Sequence, residues 1–331
     1  MEWKRAIGEC GSLPGVTYPL RVAAEITRAN IERAAARIEP FVRRTPVADL
    51  GDALGAGYRL VLKLDSMQPT GSFKVRGAFA ALAEAAIPEA GVVAASGGNF
   101  GMAVAFAARA LGHRATVFVP ATSPEEKIGR IASLGAEVRV VAGYYSQALE
   151  ESREMVVTSG ALEVHAYDQP EVVAGQGTCG KEIMEQVPDL TSILVAVGGG
   201  GLIAGIASWA CDEAAIVGVE PEGCPTLHAA RVAGGPVEVE VGGVAASALG
   251  ASRLGDIAWE ANGWIDRSVL ITDQAILEAQ TWLWDTCRIL AEPAACTPIA
   301  ALSTGAHEPL RGETVVALIS GANTSIERPA P

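Results

Sequence analysis

The chain of 331 residues lacks basic clusters, closely paired cysteines and any abundance of aromatics, and each shortage removes a class of function. Acidic residues outnumber basic ones, 38 to 25, for a formal charge of −13. Such a surface repels phosphate backbones and anionic lipid, which argues against nucleic acid and the membrane as partners. Six cysteines (Cys10, Cys179, Cys211, Cys224, Cys287, Cys296) form no Cys-x-x-Cys pair and read as reduced thiols in a cytoplasm. The four histidines, His113, His165, His228 and His307, are too dispersed to suggest a metal cluster. Aromatics make up 5 % of the chain, against 50 % apolar residues and 37 glycines. That balance suits helices packed closely on parallel strands better than a β-sandwich.

Met1–Arg5 is followed by Ala6-Ile7-Gly8-Glu9 rather than an apolar run, so no signal peptide is expected. Leu190–Cys211 carries no charge and has the length of a membrane span, about 20 residues. Gly198–Gly201 interrupt it, however, and each glycine weakens a helix by roughly 1 kcal/mol. The stretch divides more naturally into strand, glycine loop and helix.

From residue 59 onward, β-branched runs alternate with Ala-rich helical runs. Strands are expected at Arg59–Lys63, Val92–Ala95, Thr116–Val119, Glu137–Val141, Ile193–Val197 and Ile216–Val219. Helices are expected over Ser72–Ala86, Met102–Leu111, Pro124–Leu134 and Leu202–Ala210. This alternation predicts βαβ units and parallel sheets, an α/β fold. At this length two lobes are expected, with Gly143 and the Asp168-Gln169-Pro170 turn as places for the chain to cross between them.

Three loops and one lysine carry the chemistry. In Thr70-Gly71-Ser72-Phe73-Lys74, Ser72 is expected to cap a helix, with Lys74 in its first turn. Apolar neighbours and a helix N-terminus lower a lysine pKa, which favours the neutral nucleophilic amine. Ser96-Gly97-Gly98-Asn99-Phe100-Gly101 links a strand to a helix and can offer backbone N–H groups to a carboxylate. Gly198-Gly199-Gly200-Gly201-Leu202 follows an apolar strand, and residues without Cβ let backbone wrap a phosphate. The last loop is ambiguous. Gly199–Ala204 also fits G-x-G-x-x-A, with Glu220 ending the next strand, so an NAD-dependent dehydrogenase stays open on spacing alone. Gly175-Gln176-Gly177-Thr178-Cys179-Gly180-Lys181 approaches a P-loop, but Glu182 stands where a magnesium-binding hydroxyl belongs.

Taken in order, Thr70–Gly77, Ser96–Gly101 and Gly198–Leu202 resemble the serine/threonine dehydratase and serine racemase group of fold-type II pyridoxal-phosphate enzymes. Gly175–Thr178, Gly218-Val219-Glu220-Pro221, Glu292-Pro293-Ala294 and Ser320-Gly321-Ala322-Asn323 extend the likeness over roughly residues 25 to 325. The resemblance implies a two-lobed α/β fold like the β subunit of tryptophan synthase. Residues 1–90 and 169–331 would form the larger, cofactor-binding lobe and residues 91–168 the smaller, inserted one, in a homodimer.

It further implies pyridoxal 5'-phosphate as cofactor, bound covalently through Lys74 with Phe73 near its ring. Asn99 would meet the ring hydroxyl, Gly198–Leu202 the phosphate, and Ser320 the pyridine nitrogen. Gly243 would flank the ring, Glu292 would lie close to it, and Ser96, Gly97, Gly98, Asn99 and Phe100 would seat the amino-acid substrate. The implied reaction eliminates water from L-threonine, L-serine or a related β-hydroxy amino acid such as threo-hydroxyaspartate or phenylserine.

Three departures from the group bear on the details. Phe100 stands where many relatives have His. Gly97 stands where racemases of the group have the serine that serves the second face of the substrate, so elimination is expected over racemisation. Around Glu220 no second acid is well placed, so a divalent metal is expected to bind weakly at most, with a monovalent cation as the alternative. No effector domain is expected after the matched segment, hence no inhibition by isoleucine through a separate site.

Overall fold

The computed structural model describes residues 26–143 and 145–324. The N-terminal stretch in which no signal peptide is expected, and Cys10, lie outside them. The elements run α1 (Arg28–Ile38), β1 (Val47–Gly51), β2 (Arg59–Lys63), α2 (Lys74–Leu82), β3 (Val92–Ala95), α3 (Asn99–Ala110), β4 (Ala115–Pro120) and α4 (Glu125–Ser133). There follow β5 (Glu137–Val141), α5 (Tyr145–Ser159), β6 (Leu162–Glu163), α6 (Pro170–Gln186), β7 (Ser192–Ala196), α7 (Gly201–Ala210) and β8 (Ala215–Pro221). After α8 (Thr226–Ala233) come β9 (Arg267–Ile271), α9 (Asp273–Cys287), α10 (Pro293–Ser303) and β10 (Thr314–Leu318).

Two sheets result. The larger has the order β1-β2-β10-β7-β8-β9, parallel except for the antiparallel pair β1–β2. The smaller, β5-β4-β3-β6, is parallel throughout. The central strands β3, β4, β7 and β10 are buried along their whole length, which is why they read as unbroken apolar runs. Because β6 pairs with β3, the chain is still in the smaller sheet after Gly143 and does not cross there.

Helix boundaries differ from expectation in two places that matter. Helix α2 begins at Lys74 itself, with Phe73 at its cap position and no side chain capping it. Ser72 bridges to Gly321 instead, pinned by the adjoining loop rather than by the helix. Helix α3 begins at Asn99, three residues before the expected Met102, so Asn99 is a helical residue.

The Gly175–Gly180 motif is the interior of α6. A Cβ on Gly175 would stand 2.7 Å from the Arg76 carbonyl, and one on Gly177 would stand 2.9 Å from that of Gly205. These glycines let α6 touch α2 and α7 backbone to backbone, so the motif is a packing device.

Buried ions then fix α2. Arg76 pairs with Asp65 at 2.7 Å and with Glu182 at 2.8 Å, and Glu182 also takes Lys63 at 2.7 Å. Asp65 accepts further from Thr45 and Gln68. Such a network holds its members in one geometry, two residues along the helix from Lys74.

Candidate active site

The start of α2 directs Lys74 into a cleft between the two sheets. Phe73, Asn99, Tyr167, Glu292 and Ser320 line it, with Gly198–Leu202 along one wall and Ala248 and Leu249 on another. Lys74 Nζ donates to the Ala166 carbonyl at 2.9 Å and lies 5.1 Å from the centre of the Phe73 ring and 5.6 Å from that of Phe100. Loss of water pushes its pKa down to about 8, against the opposing charge of Glu292. The expected lowering is therefore present, and its cause is desolvation.

The glycine loop offers donors. The first bond within α7 runs from Ala204 N–H to the Gly200 carbonyl, which leaves the N–H groups of Gly201, Leu202 and Ile203 ahead of the helical ladder. Gly200 is left-handed at φ +87°, and its missing Cβ would crowd Ala258. A Cβ on Gly199 would enter the ring of Tyr167, and one on Gly198 would lie 2.9 Å from the Leu249 backbone. The wall is thus closed in on glycine, with a helix N-terminus facing the cleft.

A chain of oriented amides crosses the opposite side. Arg130 donates to Asn323 Oδ1 at 2.8 Å, Asn323 Nδ2 donates to Asn99 Oδ1 at 2.7 Å, and Asn99 Nδ2 donates to Glu292 Oε1 at 2.6 Å. Burial raises the pKa of Glu292 to about 7, and its Oε2 is buried with no partner. A buried polar atom left open toward a cleft marks where a bound group belongs. Ser320, also buried, accepts from Phe73 N–H through its carbonyl at 2.9 Å. On the adjoining loop Ser96 Oγ accepts from Gly98 N–H at 3.3 Å, and a Cβ on Gly97 would fall onto Ser123.

Two expected residues are placed elsewhere. Gly243, at φ +87°, lies against the Asp273 carboxylate, where a Cβ would come within 2.7 Å, and Ala248 and Leu249 form the cleft wall. Glu220 spends its carboxylate on the start of α8. It accepts from Leu227 N–H at 2.7 Å, His228 N–H at 2.9 Å, Ser268 Oγ at 3.0 Å and Thr226 Oγ1 at 3.2 Å. It is fully buried, and burial raises its pKa to about 7. Each Glu220 oxygen already accepts from two donors and none is left for a ribose, which removes the dinucleotide reading. Among the described residues no group of three or more His, Cys, Asp or Glu side chains could hold a metal ion.

Tyr167, Ala248 and Leu249 were not foreseen. Tyr167 follows no glycine motif, and its contact with Gly199 depends on how two distant loops meet. The apolar pair carries no chemical signal at all.

A buried, partly deprotonated lysine, a helix N-terminus for a phosphate and an open carboxyl oxygen define a cleft built for a covalently held, phosphorylated carbonyl cofactor. The comparisons agree: the pyridoxal-phosphate dependent enzyme family matches residues 38–321, and the chain belongs to it. The chain is 34 % identical to an L-threonine ammonia-lyase of Thermotoga maritima, covering 91 % of this chain and 76 % of the relative. It is 33 % identical to a catabolic L-threonine dehydratase of Staphylococcus aureus, covering 94 % and 93 %. The structure of maize serine racemase superposes with a TM-score of 0.85 at 28 % identity, covering 91 % of this chain and 94 % of that one. The protein is a pyridoxal-phosphate enzyme of the fold-type II serine/threonine dehydratase group. Among the described residues no helix is long and apolar enough to cross a membrane.

Proposed function

We propose that this enzyme is an ammonia-lyase that converts L-threonine, L-serine or a related β-hydroxy amino acid to a 2-oxo acid and ammonia. The observation that carries the reading is Lys74, desolvated to a pKa of about 8 inside a cleft that also holds phosphate-type donors.

In this reading Lys74 holds the cofactor, the N–H groups of Gly201, Leu202 and Ile203 hold its phosphate, Asn99 its ring hydroxyl, and Ser320 its pyridine nitrogen. Bound pyridoxal phosphate supplies an electron sink for the substrate Cα. A neutral hydroxyl at Ser320 leaves the pyridine nitrogen less protonated than a carboxylate would, which favours elimination over transamination. The N–H groups at the start of α3 and the Ser96–Phe100 loop seat the substrate carboxylate. Phe73, Phe100 and Leu249 keep water out. Once a substrate amine takes the place of Lys74 on the cofactor, the freed Lys74 Nζ would be the base that takes the Cα proton. Loss of the β-hydroxyl as water leaves an enamine, whose hydrolysis returns ammonia.

Elimination is favoured over racemisation by the bare Gly97, which has no proton to offer the second face. We also propose residues 91–168 as the smaller lobe, a homodimer as the assembly and the cytoplasm as its place. Purified protein should absorb visible light from bound cofactor and release 2-oxo acid and ammonia from L-threonine or L-serine. Coloured protein that is inert toward every β-hydroxy amino acid would make it a binding protein instead.

A further inference from the structure

Asn323, on the loop after β10, is buried, and its side-chain amide meets groups that cannot exchange their hydrogen-bonding roles. Arg130, on α4, is a guanidinium with donors only, and it reaches Asn323 Oδ1 at 2.8 Å. The Thr70 carbonyl is an acceptor only, and it takes Asn323 Nδ2 at 3.0 Å. The two constraints agree, so the amide has one orientation. Turned over, it would set oxygen against oxygen at Thr70 and donor against donor at Arg130. Gly71, at φ +75°, makes room for it, since a Cβ there would stand 2.5 Å from Asn323 Oδ1.

That orientation is passed on. Asn323 Nδ2 gives its second proton to Asn99 Oδ1 at 2.7 Å, so Asn99 must in turn point Nδ2 at Glu292. Of the two protons on Asn99 Nδ2, Glu292 takes one, which leaves the other on a residue that lines the cleft. Glu292 Oε1 accepts, so a protonated Glu292 carries its proton on Oε2, the oxygen without a partner. A Cβ on Gly321 would fall onto Glu292 Oε1, so this contact too depends on bare backbone. Hydrogen bonds to an ionised acceptor are roughly twice as strong as those to a neutral one. An amide held with its N–H outward therefore discriminates between the two forms of a phenolic oxygen.

Resting on the assignment of Asn99 to the cofactor's ring hydroxyl, we propose that Asn323 is a positioning residue, set by Arg130 and Thr70. It makes Asn99 a donor toward the cofactor and so favours the ionised ring oxygen over the neutral hydroxyl.

The test uses Asn323→Asp, which keeps the shape, still pairs with Arg130 and has no proton to give Asn99. Asn99 would then turn Nδ2 toward the new carboxylate and Oδ1 toward Glu292. The first readout is the infrared C=O stretch of Glu292 in cofactor-free protein between about pH 4.5 and 7, where Glu292 holds its proton. Identified by its loss in Glu292→Gln, that band should move in Asn323→Asp as its Asn99 donor is withdrawn. The second readout is affinity of the cofactor-free protein for pyridoxal phosphate and for 3-deoxypyridoxal phosphate, which lacks the ring hydroxyl. The wild type should prefer the former at least about tenfold. Asn323→Asp should cut that preference at least about fivefold while holding the analogue within about twofold. Arg130→Met should cut it about twofold, and Arg130→Lys, which keeps a donor, should restore it. In loaded Asn323→Asp, visible absorption should give way in part to the near-ultraviolet band of the neutral hydroxyl. An unmoved Glu292 stretch, or equal weakening of both cofactors, would overturn the proposal and leave Asn323 as a clamp between loops. A moved stretch, with a wild type that binds both cofactors equally, would support the orientation and sink the assignment of Asn99 to the ring hydroxyl instead.

Discussion

The side chain of Ser123 occupies the space that a Cβ on Gly97 would need, with Ser123 Cβ only 2.8 Å from that point. Replacing Gly97 is therefore not a simple addition. Racemisation needs acid–base groups on both faces of the substrate. The wild type should form 2-oxo acid from L-serine with little D-serine, as chiral chromatography would read. Gly97→Ser alone should fit badly against Ser123, whereas Gly97→Ser combined with Ser123→Gly should raise the D-serine fraction. D-serine forming in the wild type as fast as pyruvate would show that another residue serves the second face.

Lys74 should set the pH dependence of cofactor uptake. Its amine must be neutral to attack a carbonyl, and its pKa is held at about 8 rather than 10.5. The rate of loading cofactor-free protein should rise with pH and level off above about 8. A midpoint near 10 would mean that the amine is solvated in solution. Lys74→Ala should lose the visible absorption and all turnover.

Glu292 should make the cofactor-free protein less stable as pH rises. Its pKa is about 7 folded against 4.5 for an ordinary Glu, so the folded state holds the extra proton between those values. Stability from this group is complete below about 4.5 and falls as pH climbs through about 7. Glu292→Gln keeps an acceptor for Asn99 and has no proton to lose. Its melting temperature should match the wild type at acidic pH and exceed it at pH above 7. The same difference at both pH values would assign the effect to packing.

Asp65→Ala should destabilise the fold, because it leaves Arg76 buried with one fewer partner. Breaking a buried pair this way costs about 3–5 kcal/mol. Chemical unfolding at neutral pH measures it, and a loss below about 1 kcal/mol would mean that water or Glu182 compensates fully.

Much of the fold was legible because parallel strands buried on both faces leave apolar runs that no other element produces at that length. Lys74 and the Gly198–Leu202 loop were legible for a related reason: a reactive amine and a phosphate cradle constrain residue type locally. Ser72 misled because Ser is the usual N-cap, and here an extended contact with Gly321 outweighs local preference. Glu220 misled because capping a helix from a neighbouring strand leaves the same acidic signature as binding a ribose. Tyr167 reaches the cleft, and Arg130 reaches Asn323 behind it, through tertiary approach alone, which no spacing in the sequence records.

Strand β10 lies between β2 and β7 although some 250 residues separate it from β2 in the chain. At roughly 5–20 residues per second, synthesis needs on the order of ten to fifty seconds to span that gap. Throughout that interval β2 has an unmated edge and the larger sheet has no centre. The smaller sheet, whose strands all fall between residues 92 and 163, has its partners at hand long before. On the ribosome, the nascent polypeptide would finish its insert before the body that carries it. Holdase chaperones would then find their target in the waiting strands of the body.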